Sequence, residues 1–542
     1  MGPDAAWRMK AAGYLVFAAL LVFVLLAMPS HPDSVGWGAL GRAPLELPVI
    51  LFAVIAFGRN WGVRLVIAAL LVTVTFIKLA DIGMFTAYDR SFNPILDTFL
   101  IKAGLGLLRD SIGMPLTVLA VAGAALATVL LFYILMQALR LWAEMPVPRL
   151  GRLVAAAGAL AFAGLAVAKV GPEPDHLRFA QNLPGSAKTS ALTFARVSQM
   201  RETALDLVQF RAAAAQDRYA DATGLLDRLQ GQDVIIIYIE SYGRASFENP
   251  LYAPTHTTTL QAQLGPLQEA GFAVQSGWLT SPTAGGQSWL AHGTLSSGLW
   301  VSDNGRYSAM LASGNKSLFH IAQEAGFRTA AVMPAITLAW PEGEAMGFDV
   351  ILPAADIPYK GARFNWVTMP DQFTLATYPD LLPKDARSDF IQIALISSHA
   401  PWVPVPDMIP WEDVSDGTEF NEMAARGPTP RELWKNRDDV REAYRQAIDY
   451  SLQATFSYIA RLGADAPLVF VLGDHQAAGF VAGSDNRDVP VHVVGPPEVV
   501  ERLNGWGWQD GLIPGGPVRR MDRFRNDFIA AFSDETLAEA VE

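Results

Sequence analysis

The sequence predicts a chain in two parts: an N-terminal bundle of five transmembrane helices, then an α/β domain whose mostly parallel central sheet is sandwiched by helices. Three observations carry this reading. Five long apolar runs fill the first third of the 542 residues. From about residue 232, short β-branched runs alternate with helical patterns, which is how an α/β domain with a parallel sheet is written in sequence. Two of those stretches, Asp233–Ser241 and Pro467–His475, hold unbroken apolar runs that end abruptly in Glu240 and in Asp474-His475. Strands of that kind are buried on both faces of a parallel sheet, and ligands bind beyond their carboxyl ends.

The formal net charge of −12 argues against a general nucleic-acid binder. The absence of cysteine excludes disulfides, thiolate metal sites and a cysteine nucleophile.

The apolar runs lie at about 11–29, 44–58, 62–80, 114–138 and 150–169. A helix needs about 20 apolar residues to cross the bilayer core, so the second run is marginal and the others fit. The first is too long, and too soon followed by others, to be only a cleaved signal peptide. Core helices of a soluble domain would show polar faces, which these runs mostly lack. Arg8 and Lys10 precede the first span, Arg59 and Arg64 lie between the second and third, and Arg140, Arg149 and Arg152 lie between the fourth and fifth, all on one side, while the alternate loops are poorer in Lys and Arg. That places the N-terminus in the cytoplasm and everything after about 172 outside. The loop 81–113, with Asp81, Asp89, Arg90, Asn93, Lys102 and Arg109, falls on the outer side and reads as an interfacial helix or as a substrate guide.

Pro172 and Pro174 end the last span, and 172–231 turns polar and Ala-rich. Helical periodicity around Leu177–Ala180 and Thr203–Tyr219 predicts amphipathic helices on the membrane surface; a disordered tether is the alternative. The resulting divisions are a transmembrane domain at 1–171, a juxtamembrane linker at 172–231 and the α/β domain at 232–542. Within the last, strands are expected near 233–239, 272–276, 328–332, 390–396, 467–472 and 490–494. Helices are expected near 257–270, 287–297, 317–325, 371–378, 436–462 and 520–532.

A bare Glu240 at a strand end is costly unless a cation or a donor satisfies it. Gly285-Gly286-Gln287-Ser288 opens a helix, where free N–H groups and positive partial charge gather. Ser288 there reads as an N-cap or as a nucleophile. Taken together, Glu240, Ser288, Asp474 and His475 offer a hydroxyl, two carboxylates and an imidazole at sheet edges. The set suits one divalent cation with N/O ligation, which eases deprotonation of the Ser hydroxyl and polarises a phosphoryl or sulfuryl oxygen.

These residues carry a resemblance. Glu240 in Ile-Glu-Ser-Tyr-Gly, Ser288 in Gly-Gly-Gln-Ser, His399 in Ser-Ser-His-Ala-Pro-Trp and Asp474-His475 in Leu-Gly-Asp-His resemble the motifs of the sulfatase-like branch of the alkaline phosphatase superfamily. With five spans in front, the chain is most similar to the lipoteichoic acid synthase and phosphoglycerol transferase group, and less so to bacterial phosphoethanolamine transferases. The resemblance implies a bacterial inner-membrane protein, multi-pass, with its catalytic domain on the periplasmic, extracytoplasmic side. It implies one manganese or zinc ion held by Glu240, Ser288, Asp474 and His475, with Ser288 as the nucleophile that carries a covalent phospho-intermediate. His399 then binds phosphate or protonates the leaving group. The group usually has Thr where Ser288 stands, which keeps Thr283 and Ser281 as weaker candidates.

Trp340 matches a Trp that holds glycerol phosphate in the synthases, but the nearby Arg position reads Glu342 and a preceding His-Gly-Asp reads Met333-Pro334-Ala335. Glu342 repels a second phosphate and can pair with an amine. That weakens phosphoglycerol and leaves room for phosphoethanolamine or another head group; against phosphoethanolamine, its transferases carry disulfides that this chain lacks. Trp366 and Asp371 are placed at the same mouth, Trp366 equally as a packing residue. His292, four residues after Ser288 on one helix face, is a further substrate-site candidate. Asp485, Asn486 and Arg487 are candidates for the rim. His256, His320 and His492 read as packed or surface residues.

The function expected is transfer of a phospho-head group from a phospholipid donor to a hydroxyl of a glycan or glycolipid. Hydrolysis of phosphodiesters or sulfate esters by the same site is the alternative. No Cys/Ser-x-Pro-x-Arg follows Ser281-Pro282, against a sulfatase proper. A non-catalytic lipid- or glycan-binding membrane protein ranks last.

Overall fold

Each of the five apolar runs folds as a helix in the computed structural model of the chain, which describes residues 3–36, 38, 41–88, 90–170, 184–463 and 467–534. The helices are Pro3–Ala27, Glu46–Phe57, Trp61–Tyr88, Met114–Ala143 and Arg149–Ala168. Among the described residues, three stretches are long and apolar enough to cross a membrane: Trp61–Thr86, Met114–Ala143 and Arg149–Ala168. Ala12–Ala27 and Glu46–Phe57 are shorter apolar helices. The 12 residues of Glu46–Phe57 rise only about 18 Å, against a hydrocarbon core of about 30 Å. Three of the five expected spans thus have the length and composition to cross a membrane.

Contacts divide the chain into two units, Met1–Asp206 and Leu207–Glu542. In the first, Val22, Leu26, Val54, Leu71, Leu135 and Leu139 form one apolar core between helices. The loop 81–113 contains the helix Phe99–Ile112, on which Ile101, Leu105, Leu108 and Ile112 recur at helical spacing and are exposed. Pro172, Pro174 and Leu177–Ala180 lie outside the described residues.

The rest of the expected linker holds one long helix, Lys188–Ala214. Thr189, Arg196 and Thr203 recur at intervals of seven along it, and each meets a polar partner within the first unit. Lys78 Nζ donates to Thr189 Oγ1 at 2.9 Å and to the Leu25 and Leu26 carbonyls at 3.0 and 2.8 Å, capping the first helix with a cation. Arg196 Nη2 donates to both oxygens of fully buried Asp81, at 2.8 and 2.9 Å. Asn93 Nδ2 donates to Thr203 Oγ1 at 3.0 Å. A segment expected to lie amphipathically on the membrane is therefore fastened along one face by polar bonds.

The second unit contains a nine-stranded sheet. Its strands are β1 (Val234–Ile239), β2 (Ala273–Thr280), β3 (Arg328–Met333), β4 (Val350–Pro353), β5 (Asp389–Ala394), β6 (Leu468–Gly473), β7 (Asp488–Gly495), β8 (Gln509–Asp510) and β9 (Val518–Arg520). The order is β4-β3-β5-β1-β6-β7-β2-β8, with β9 also on β2. From β4 to β6 every pairing is parallel; β7 runs antiparallel to β6 and β2. All six expected strands are present, and the short edge strands β4, β8 and β9 were not expected.

β1 and β6 are buried along their whole length. Ile235, Ile237 and Ile239 enter one core, and Val234, Ile236 and Tyr238 the opposite one. This is the strand period of two in a sheet covered on both faces, one by helices such as Ala253–Glu269 and Arg437–Ala460, the other by Ser288–Ser297 and Phe524–Phe532. In the parallel register Ile239 stands opposite Gly473, so Glu240 and Asp474 leave the sheet side by side.

Candidate active site

At the carboxyl ends of β1 and β6 the backbone is tight. Ser241 is left-handed at φ 61°, turning the chain out of β1 directly after Glu240. A methyl group at Gly473 would collide with the Tyr242 carbonyl, so only glycine admits this approach. The Asp474 side chain binds across the junction: its Oδ1 accepts from the Ser241 N–H at 2.9 Å and from the His475 N–H at 2.7 Å. Its other oxygen is left facing the site, 3.8 Å from His475 Nε2.

His475 is oriented by its far nitrogen. Nδ1 donates to the Gln476 carbonyl at 2.9 Å, which turns Nε2 toward Glu240 Oε1 at 3.1 Å. The same carbonyl accepts from the Gly285 N–H at 2.8 Å. One peptide group thus fixes both the imidazole and the glycine turn that delivers Ser288. Gly285 and Gly286 take φ of 73° and 136°, and Gln287 is left-handed at 67°. Gln287 occupies the cap position of the helix Ser288–Ser297. Ser288 is therefore inside the helix, and its hydroxyl is not used as a cap. It donates to Glu240 Oε2 at 2.8 Å and lies 3.4 Å from His475 Nε2.

The alternatives to Ser288 are engaged elsewhere. Ser281 Oγ donates to the Asp474 carbonyl at 2.6 Å, and Thr283 Oγ1 to the Gly286 carbonyl at 2.8 Å.

Ligand atoms of Glu240, Asp474 and His475 lie within 4.8 Å of one another. Their electrostatics are those of two acids crowded around one base. Burial pushes the Asp474 carboxyl up, and the Glu240 charge pushes it further, to about 8. Burial opposes charge on His475, but Asp474 and Glu240 outweigh it and raise the imidazole to about 9. Burial also raises Glu240, yet His475 and then His399 hold it well below the usual carboxylate range. A divalent ion would replace the protons that now hold these groups together. The one imidazole, two carboxylates and hydroxyl, with Nε2 and one Asp474 oxygen left facing inward, fit such an ion.

His399 is partly buried on the turn after β5. Ser398 Oγ donates to the Glu240 carbonyl at 2.8 Å, tying that turn to the end of β1. His399 Nδ1 donates to the Ala400 carbonyl at 2.5 Å, leaving Nε2 as the exchangeable nitrogen. Neither Ser398 nor Gln476 was legible in the sequence as a site residue.

The remaining candidates separate. His292 is buried with its ring 4.0 Å from that of Tyr238, and its Nε2 makes no hydrogen bond. Burial lowers it to about 4, keeping it neutral beside Glu240 and His475. Trp340 is half-buried against Phe348, ring centres 6.0 Å apart. Trp366 is 62% exposed, which rules out the packing role. Asp371 is fully buried rather than at a mouth: it accepts from the Ile396 and Ser397 N–H groups, each at 2.8 Å, and from Ser451 Oγ at 2.6 Å. It braces the turn that carries His399. Arg487 Nη1 donates to the Pro282 carbonyl at 3.2 Å, at the approach to Ser288. His256, His320 and His492 bond to a backbone carbonyl, a capping serine, and a Tyr242–Ser276 pair respectively.

The fold thus gathers carboxylates, an imidazole and a hydroxyl at the carboxyl edge of a parallel sheet, where ligands bind in α/β domains. Residues 232–489 match the family model described as Sulfatase. No curated protein matches the chain. Among solved structures, the chain is similar to the lipooligosaccharide phosphoethanolamine transferase A of Neisseria meningitidis, at 16% identity and TM-score 0.49, over 96% of this chain and 95% of that one. It is similar to the lipoteichoic acid synthase LtaP of Listeria monocytogenes, at 13% identity and TM-score 0.37, over 61% and 81% of the two chains. It is also similar to the phosphoglycerol transferase GacH of Streptococcus pyogenes, at 15% identity and TM-score 0.38, over 62% and 84%.

Proposed function

We propose that this protein is a multi-pass membrane enzyme, with its sulfatase-family domain on the periplasmic side of a bacterial inner membrane. It moves a phospho-head group, of the phosphoglycerol or phosphoethanolamine type, from a phospholipid to a hydroxyl of a glycan or glycolipid. The observation that carries this reading is the Ser288 hydroxyl on Glu240 at 2.8 Å, within reach of His475 and beside Asp474. Glu240, Ser288, Asp474 and His475 would hold one divalent ion, manganese or zinc, which when bound supplies positive charge that favours the serine alkoxide and polarises the phosphoryl group.

The Ser288 hydroxyl gives up its proton to water and its oxygen bonds to phosphorus as the P–O bond to diacylglycerol breaks, while His399 Nε2 hands a proton to the departing alkoxide. The acceptor hydroxyl then gives its proton to His399 and bonds to phosphorus, and Ser288 oxygen departs. Trp340, Trp366 and His292 are proposed to border the substrate. Asp371 acts through the His399 turn. Apolar helices on the same chain hold the domain at its lipid donor and raise the donor's effective concentration.

The test is intact mass after incubation with a mixed phospholipid pool. A wild-type adduct absent from Ser288→Ala supports the covalent mechanism, and its mass names the head group. An active Ser288→Ala protein refutes it. Product analysis with and without a glycan acceptor separates transfer from hydrolysis.

A further inference from the structure

Next to the His399 turn lies a cavity of about 340 Å³ that no step above uses. Its walls are Trp402, Val403, Pro404 and Leu433, and polar groups of Arg426, Asp439, Glu442 and Gln446 stand around it. We propose that this cavity is the subsite for a neutral sugar ring of the acceptor. The inference deepens the transferase reading and rests on it for the acceptor's role.

Position is the first argument. Trp402 is joined to the site from two directions. Its N–H donates to the His399 carbonyl at 3.3 Å, and its Nε1 to the Ser398 carbonyl at 2.7 Å, so cavity wall and His399 share one turn. Its ring packs edge-on against Tyr444, centres 5.5 Å apart, and the Tyr444 hydroxyl donates to the Ser241 carbonyl at 2.9 Å, next to Glu240. A ring seated against this wall would lie beside the turn that carries His399.

Chemistry is the second. Trp434 stacks parallel to Trp402, with 5.9 Å between centres, yet 46% of its surface is exposed. An exposed flat ring beside an apolar wall suits the C–H face of a pyranose. The polar groups offer both donors and acceptors, which hydroxyls need and an ammonium group does not. Arg426 is already paired with Asp407 at 2.6 Å and Glu442 with Arg445, so Asp439 is what leaves the cavity net negative. That disfavours phosphate and separates this subsite from the head-group site.

The test uses the full chain in a sugar-free amphiphile. Short oligosaccharides of glucose and of N-acetylglucosamine are added, with ethanolamine and glycerol phosphate as competitors, and saturation transfer from aromatic to ligand protons is recorded by NMR. Sugar protons should receive saturation, and Trp434→Ala should weaken sugar binding about tenfold. Asp439→Asn, at an exposed side chain, should weaken it several-fold with the melting curve unchanged. No saturation of any sugar, equal binding in both variants, or displacement of sugar by ethanolamine would overturn the proposal. Sugar binding needs no donor, and the Ser288 adduct needs no sugar, so failure here and failure of the transferase reading are told apart.

Discussion

Asp474→Asn should make the ion-free protein more stable at neutral pH while abolishing ion binding. Asp474 is 1% exposed, and its carboxyl is raised from 3.8 to about 8 by burial and by Glu240. In the unfolded chain the carboxyl is ionised at pH 7; in the folded, ion-free chain it is protonated. Folding at pH 7 therefore takes up a proton across about three pH units, which costs roughly 4 kcal/mol as an upper bound. Asparagine avoids that uptake. Its Oδ1 can still accept from the Ser241 and His475 N–H groups that now hold Asp474 at 2.9 and 2.7 Å. The sign follows from the raised acid: wild-type stability falls as pH rises from about 4 to about 8, whereas the variant's does not, so the gap widens over that window and is flat above it. At about 2 °C or more per kcal/mol, the expected rise in melting temperature is several degrees. The assay is thermal melting of the detergent-solubilised full chain with a chelator, across pH, followed by titration of manganese or zinc. Added ion should raise the wild-type melting temperature and leave the variant unmoved. A variant that melts below wild type in chelator at pH 7 would refute the view that these acids are held together under electrostatic strain.

Three further outcomes are expected. Because Asp474 and His475 are raised to about 8 and 9, ion binding must expel their protons; affinity should rise up to about tenfold per pH unit for each proton released, and calorimetry in buffers of different ionisation heat should count them. Asp371→Ala leaves the Ile396 and Ser397 N–H groups and Ser451 without their buried acceptor and should cost about 3 kcal/mol or more in urea unfolding, with transfer activity lost through the displaced His399 turn. Arg196→Ala strands the fully buried Asp81 and should destabilise the helical unit by about 3–5 kcal/mol, with Asp81→Asn restoring part of the loss; no change in melting would show that this pair does not fasten the helix Lys188–Ala214.

The sequence by itself determined what depends on local pattern. β1 and β6 were legible because burial on both faces demands unbroken apolar runs, and Glu240 and Asp474-His475 were legible because a charge at the end of such a run needs a reason. The five apolar helices were legible as helices, since hydropathy is a property of the segment itself. Short edge strands such as β4 and β9 were not, because a strand of three or four residues is held by its neighbour and not by its own preference. Tertiary structure decided the rest through partners far apart in the chain. Ser288 is distinguished from Ser281 and Thr283 only because the Gln476 carbonyl, some 190 residues on, binds both the Gly285 turn and His475. Asp371 was placed at the substrate mouth, and became a buried brace because Ser451 and the His399 turn close over it. Thr189 and Arg196 carried no signal in the sequence, and only the fold brings them to Lys78 and Asp81, as it brings Thr203 to Asn93. A polar side chain looks alike in sequence whether water or a buried partner satisfies it, and only the packed chain tells the two apart.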